Sequence, residues 1–264
     1  TAETPSAASA APRLRAAIRV TRADTATRTA RPPLTHGAHI PATRSARVKW
    51  LLHELLDDDF DVEVVGLYDG VQYSPDYLQK NPNHNVPALE ITLANGERHI
   101  MLESGAMVSL LADLFPEKGL APVPDTFSLA RVDYLQMLHF GTSWMDMMLW
   151  QIRIHTHMLG RDRDEKTIAR YNHKFTQEVE PQLLNRLEQS DYICGDQFSA
   201  VDCVMGQNVL WARAYGLCQG NQFSDYVTLL SQRAAFGKAY ADIGDFTLAP
   251  PTANAKTLAG YFTG

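Results

Sequence analysis

The sequence predicts an α+β fold in two parts, a small domain of alternating strands and helices and then an all-helical domain. Three observations carry that prediction. Phe60–Val65 alternates apolar and polar residues as a half-buried strand does. Asn95-Gly96, a strong turn pair, separates Glu90–Leu93 from Arg98–Leu102, two short runs that read as a β-hairpin. Beyond Phe127 the apolar residues recur at helical spacing over long runs, with no further strand pattern.

Residues 1–33 are rich in Ala, Thr, Ser, Pro and Arg, nearly free of acids and without an aromatic residue, and read as an extended basic arm. Leu34–Ile40 takes the place of a first strand. A helix follows from Thr43 to Leu56, with Val48, Leu51, Leu52 and Leu55 on one apolar face, and Asp57-Asp58-Asp59 ends it. The strand at Phe60–Val65, the hairpin and a helix from Ala106 to Phe115 complete a domain over residues 34–116. That order of strand, helix, strand, variable segment, hairpin and helix matches a thioredoxin-like domain. A Pro/Gly-rich linker spans 117–124. The all-helical domain, 125–245, is predicted to pair Phe127–His157 with Glu165–Leu187 and to place a central helix from Ser199 to Tyr215. Ser199 and Asp202 fit a structural capping box at the start of that helix. A short helix over Asp225–Ala241 and a tail at 246–264 end the chain.

At 264 residues the chain buries a sizeable core. No apolar run approaches the roughly 18 residues of a membrane span. The net charge of −6 hides an asymmetry. Residues 1–49 hold nine Lys/Arg against two acids, +7, which leaves fifteen basic and twenty-eight acidic residues, −13, in the remainder. So acidic a body is a poor partner for nucleic acid. Cys194, Cys203 and Cys218 are odd in number and lack metal-ligand spacing, so they read as buried thiols, and no metal site is expected. The arm has the composition of an organelle transit peptide or of the segment just after its cleavage point, and a start at Thr1 suits a processed protein. The expectation is an organellar location, the mitochondrial matrix side first, with the cytoplasm as the alternative.

The most informative stretch is Asn81-Pro82-Asn83-His84-Asn85-Val86-Pro87-Ala88-Leu89, followed after the hairpin by Glu103-Ser104. Val86-Pro87 puts a proline, predicted cis, at the start of a strand, where it donates no ladder hydrogen bond. The backbone of Val86 is then free for another partner. Glu103 and Ser104 open an apolar helix, so an acid, a hydroxyl and free helix-end N–H groups stand beside free backbone. That set suits a small peptide carrying both a carboxylate and an ammonium.

These residues resemble the glutathione S-transferase family. Thr43–Leu55 is similar to the family's first helix, Tyr73–Leu78 to the segment before the proline loop, and Tyr192–Asp202 to the second-domain signature, so the resemblance covers roughly residues 34–245. It implies a glutathione site formed by Asn85, Val86, Pro87, Glu103 and Ser104, with glutathione as co-substrate. It also implies a hydroxyl at the start of helix one that stabilises the thiolate, either Thr43 or the nearby Ser45. Where many members have Gly followed by Lys or Arg, this chain has His84-Asn85, so a neutral amide replaces a cation. A pocket for the electrophile falls on Met137, Phe140 and Trp144, a Met- and aromatic-rich stretch that also suits core or a subunit interface. His155 and His157, two apart, point in different directions on a helix and form no metal pair.

Two functional classes follow. One is an enzyme that transfers or adds the glutathione thiol to a small electrophile. The other is a non-catalytic accessory subunit of a large organellar complex, anchored through the basic arm and needing no electrophile. The assembly is a homodimer or part of something larger.

Overall fold

The computed structural model describes residues 43–241 apart from 66, 68, 69, 93–96 and 126, together with the backbone of a strand at 19–23. That strand, β1 (Arg19–Ala23), runs parallel to β2 (Asp61–Val65), with Arg19 opposite Asp61, and antiparallel to β3 (Leu89–Thr92). β4 (Arg98–Met101) pairs antiparallel with β3 and sets Leu89 opposite Met101, giving the order β2-β1-β3-β4. Five residues of the stretch read as an extended basic arm therefore supply an inner strand of the sheet, which corrects the sequence reading of residues 19–23. Residues 34–40, the expected first strand, lie outside the described residues, as does the rest of the arm.

Helix α1 (Ser45–Leu56) buries Val48, Leu51, Leu52 and Leu55 as its periodicity requires. It also buries its polar side, with Arg47 0% and Lys49 8% exposed, because a second layer of helices covers it. Trp50 packs its ring 5.6, 5.1 and 6.0 Å from Phe198, Phe236 and Tyr240. A short helix α2 (Pro75–Lys80), capped by Ser74, leads into the proline loop, and α3 (Ser104–Leu114) follows β4.

In the second part, one helical run from Leu129 to Met158 replaces the single long helix of the sequence reading. It comprises α4 (Leu129–His139), a π-helical segment (Phe140–Met145), α5 (Asp146–Arg153) and a second π segment (Ile154–Met158). The first π segment brings the carbonyl of Gly141 to the Asn208 amide, which donates to it at 2.7 Å. Helices α6 (Glu165–Glu178) and α7 (Glu180–Leu187) break at Val179, where Pro181 starts the second of them, and α5 packs against α6. Helix α8 (Ala200–Arg213) is buried along almost its whole length, with α9 (Asn221–Ser231) and α10 (Ala234–Ala239) around it.

The capping box forms at the start of α8. The Ser199 N–H donates to Asp202 Oδ2 at 2.8 Å, while Oδ1 accepts from the Ile193 N–H and from the Tyr226 hydroxyl. The linker docks there too, through the Ala200 N–H donating to the Leu120 carbonyl at 2.8 Å. No helix among the described residues is long and apolar enough to cross a membrane.

Candidate functional site

The proline loop is built on Asn81, which is fully buried. Its amide donates to the Asn85 carbonyl and to Asn85 Oδ1, both at 2.8 Å, while its own Oδ1 accepts from the Asn83 N–H. The Tyr77 hydroxyl donates to the same Asn85 carbonyl at 2.6 Å. These bonds hold His84 at φ 44° and present Val86-Pro87 with a cis peptide. Among the described residues nothing pairs with the N–H or C=O of Val86, and the Asn85 NH2 group is likewise open.

Across from the loop, Glu103 stands at the start of α3 in the left-handed region, φ 69°, with its side chain exposed and its carbonyl accepting the first helical bond from Met107. Ser104 is 8% exposed. Gly105 follows because a Cβ there would stand 2.9 Å from Thr142 Oγ1, so α3 meets the first π segment at backbone contact distance. The α3 N-terminus thus offers a carboxylate, a hydroxyl and unpaired helix-end N–H groups in one place.

At the start of α1, the half-buried Thr43 hydroxyl lies 3.1 Å from Ser45 Oγ, which is 1% exposed. Hydroxyl protons rotate, so Ser45 is able to donate to Thr43 while Thr43 donates outward. The first turn of α1 carries no acid to oppose an anion at that end.

Beneath both sits a buried ion-pair network that sequence reasoning missed. Arg47 donates to both Asp146 oxygens, at 3.1 and 2.8 Å, to Gln207 Oε1 at 3.1 Å, to Asn208 Oδ1 at 2.7 Å and to Ser104 Oγ at 3.5 Å. Arg44 Nε donates to Asp146 Oδ2 at 2.6 Å. Burial alone would push the Asp146 carboxyl up, but Arg47 and Arg44 hold it below the usual carboxylate value. One guanidinium therefore ties the start of α3 to α1, α5 and α8. The sequence carries a signal for it: Asp146 is a lone acid in Trp144–Trp150, and Gln207-Asn208 interrupts the apolar run of α8.

The residues expected to line the electrophile side differ in exposure. Met137 is 2% exposed in the core, Phe140 packs against that core, and Trp144 faces solvent with Lys174 Nζ 4.6 Å from its ring. Their positions follow from the helical run, whose inner face is filled by α8. At the Thr43 end of α1 stand Trp150 and Trp211, each with its ring centroid 5.2 Å from Arg44 Cζ. Tyr215, one turn beyond Trp211, faces His157 with ring centroids 6.0 Å apart. Burial, reinforced by Arg153 and Arg163, pushes His157 down to about 4, so its imidazole is neutral at pH 7.

The three cysteines are free thiols. Burial pushes all of them up, Cys194 to about 12, which leaves none as a thiolate at neutral pH. No group of residues fit to hold a metal occurs among the described residues. A cavity of about 470 Å³ lined by His53, Glu54, Tyr192, Arg233 and Lys238 opens at the opposite end of α1 from Thr43. Its charges are already matched, Arg233 to Glu54 at 2.7 Å and Lys238 to Asp58 at 2.8 Å, so it offers a ligand little.

Residues 33–113 match the family model described as glutathione S-transferase, N-terminal domain, a match that begins downstream of β1. The chain is 26% identical over 203 residues to an uncharacterized GST-like protein of Streptococcus mutans, covering 69% of this chain and 70% of that one. It is 24% identical over 147 residues to glutathione S-transferase 3 of Zea mays, 54% of this chain and 63% of the maize protein, so that match spans less than two thirds of the relative. Among solved structures, a glutathione transferase family member from Pseudomonas fluorescens with two glutathione bound superposes with a TM-score of 0.68 at 18% identity, over 86% of this chain and 94% of that one. A sphingomonad glutathione S-transferase complexed with glutathione gives 0.65 at 23% identity, over 86% and 98%.

Proposed function

Because this chain belongs to the glutathione S-transferase family, we propose that it binds glutathione between the proline loop and the starts of α1 and α3, and adds its thiol to a small electrophile. The observation that carries the reading is the open backbone of Val86 beside cis-Pro87, opposite the exposed Glu103 carboxylate and the Ser104 hydroxyl. In this reading Val86 pairs with the peptide backbone, and Ser104 with the α3 N–H groups takes the γ-glutamyl carboxylate. Glu103 takes the ammonium, and Asn85 offers a neutral donor to the far end. Thr43, supported by Ser45, donates to the sulfur. Together with the N-terminal end of α1 it lowers the thiol from its free value near 8.5 so that thiolate is present at neutral pH. The thiolate then forms the C–S bond at the electrophile while the displaced group leaves with its electron pair. The neighbours solved with glutathione bound agree with glutathione as co-substrate here.

Calorimetry tests the binding step. Saturable glutathione binding is expected, and Ser104→Ala should weaken it by roughly 1–3 kcal/mol, the cost of leaving a charged partner without its hydrogen bond. No detectable binding by the unaltered protein would refute the reading and favour the accessory-subunit alternative. That alternative, like the proposed organellar location, rests on the composition of residues 1–33. The pairing of β1 takes five of those residues into the sheet, which weakens their reading as a free tether.

A further inference from the structure

Two guanidinium groups, Arg44 and Arg47, share one carboxylate, Asp146, and the other acceptors of Arg47 are the neutral Gln207, Asn208 and Ser104. The cluster therefore keeps one positive charge in excess. Arg47 is fully buried, whereas the Arg44 side chain is 31% exposed, so the excess reaches a ligand only at Arg44. Nε of Arg44 is committed to Asp146, and among the described residues no acceptor meets its other N–H groups. A second donor in the same cluster is also unsatisfied: Trp211 Nε1 is buried and has no hydrogen-bond partner among the described residues, in a residue 4% exposed. A buried donor without an acceptor is costly, and this one belongs to the ring that Arg44 covers, so an acceptor bound here would relieve it. What remains is a rigid cation, fixed through Nε and set against two indole rings, directly beside the hydroxyl pair of Thr43 and Ser45.

We propose that Arg44, with Trp150 and Trp211, is the specificity-determining group for the second substrate and selects electrophiles that carry a carboxylate on an aromatic body. The proposal rests on the glutathione-transferase reading above. The carboxylate accepts from the free N–H groups of Arg44 and from Trp211 Nε1, and the aromatic body lies against the indoles. The bond change happens elsewhere on the molecule. With a chloronitrobenzoate, the glutathione sulfur bonds to the ring carbon that bears chlorine, and chloride leaves with the C–Cl electron pair.

The test compares 4-chloro-3-nitrobenzoate with its neutral methylamide in the full chain. In Arg44→Gln the ratio of kcat/KM for the acid to that for the amide should fall on the order of ten- to hundredfold, the span expected for a charge-assisted hydrogen bond. Arg44→Lys, which keeps the charge and loses the planar fork, should fall in between. An equal loss with both electrophiles, or a loss of glutathione affinity large enough to explain the fall, overturns the proposal and places Arg44 on the glutathione side.

A second readout needs no turnover. Unreactive 3-nitrobenzoate should quench tryptophan fluorescence saturably, and the dissociation constant read from the quench should rise at least tenfold in Arg44→Gln. Absence of that quench in the unaltered protein sinks the anion site even if glutathione binds. Binding of 3-nitrobenzoate without conjugation of either electrophile instead sinks the transferase reading and leaves the anion site standing.

Discussion

Asp146→Asn removes one charge from the buried pair while keeping its shape. Asn presents one carbonyl and one NH2 where Arg47 now meets two acceptor oxygens, at 3.1 and 2.8 Å, so a donor comes to face a donor. The Arg47 side chain is 0% exposed and cannot turn to water for relief. Removing one member of such a pair costs about 3–5 kcal/mol, most of it the penalty of an unmatched buried charge. For a chain of this size each kcal/mol lowers the melting midpoint by roughly 2–4 °C, so a fall on the order of 6–20 °C is expected. Urea unfolding read through tryptophan fluorescence reports the loss in kcal/mol, and Trp50 contributes to that signal because its ring packs on three aromatic side chains of the helical part. Acid provides an internal control. The Asp146 carboxyl is depressed in the folded state, so its contribution is complete above the unfolded carboxylate value of about 3.9 and is lost as pH falls through the lower folded value. The gap between the two proteins should therefore close in strong acid. A loss below about 1 kcal/mol, the range of exposed pairs, or a gap that survives unchanged at low pH would refute the argument.

Thr43→Val keeps the branched shape and deletes the hydroxyl, and should shift the pH–rate profile for conjugation to higher pH; an unchanged profile, with a large loss in Ser45→Ala, moves the role to Ser45. Removing residues 1–33 deletes β1 and exposes the inner edges of β2 and β3, so the truncated chain should lose cooperative unfolding of its N-terminal domain by hydrogen exchange, and a fully protected sheet would show that β1 is dispensable. Gly105→Ala forces a methyl to within 2.9 Å of Thr142 Oγ1 and should cost about 1–3 kcal/mol in urea unfolding; Thr142→Ala is expected to restore part of it, and no recovery would place the strain elsewhere.

Local chemistry made much of this protein legible in its sequence. The cis Val86-Pro87 step, the Ser199–Asp202 capping box, the hairpin strands and the apolar face of α1 each depend on residues close together in the chain, whose turn chemistry and periodicity act before any long-range contact forms. Three things were settled only when distant segments met. Arg19–Ala23 is a strand because β2 and β3 supply hydrogen-bond partners on both sides, which its own composition does not reveal. The indoles of Trp150 and Trp211 meet at Arg44 beside Thr43 because the face that the helical run turns inward depends on how it packs against α8. Arg47 lies in α1 outside the apolar set Val48, Leu51, Leu52 and Leu55. It is buried because Asp146, Gln207 and Asn208, about a hundred or more positions away in the chain, converge on it, and a charge enters the interior only where the fold delivers its partners.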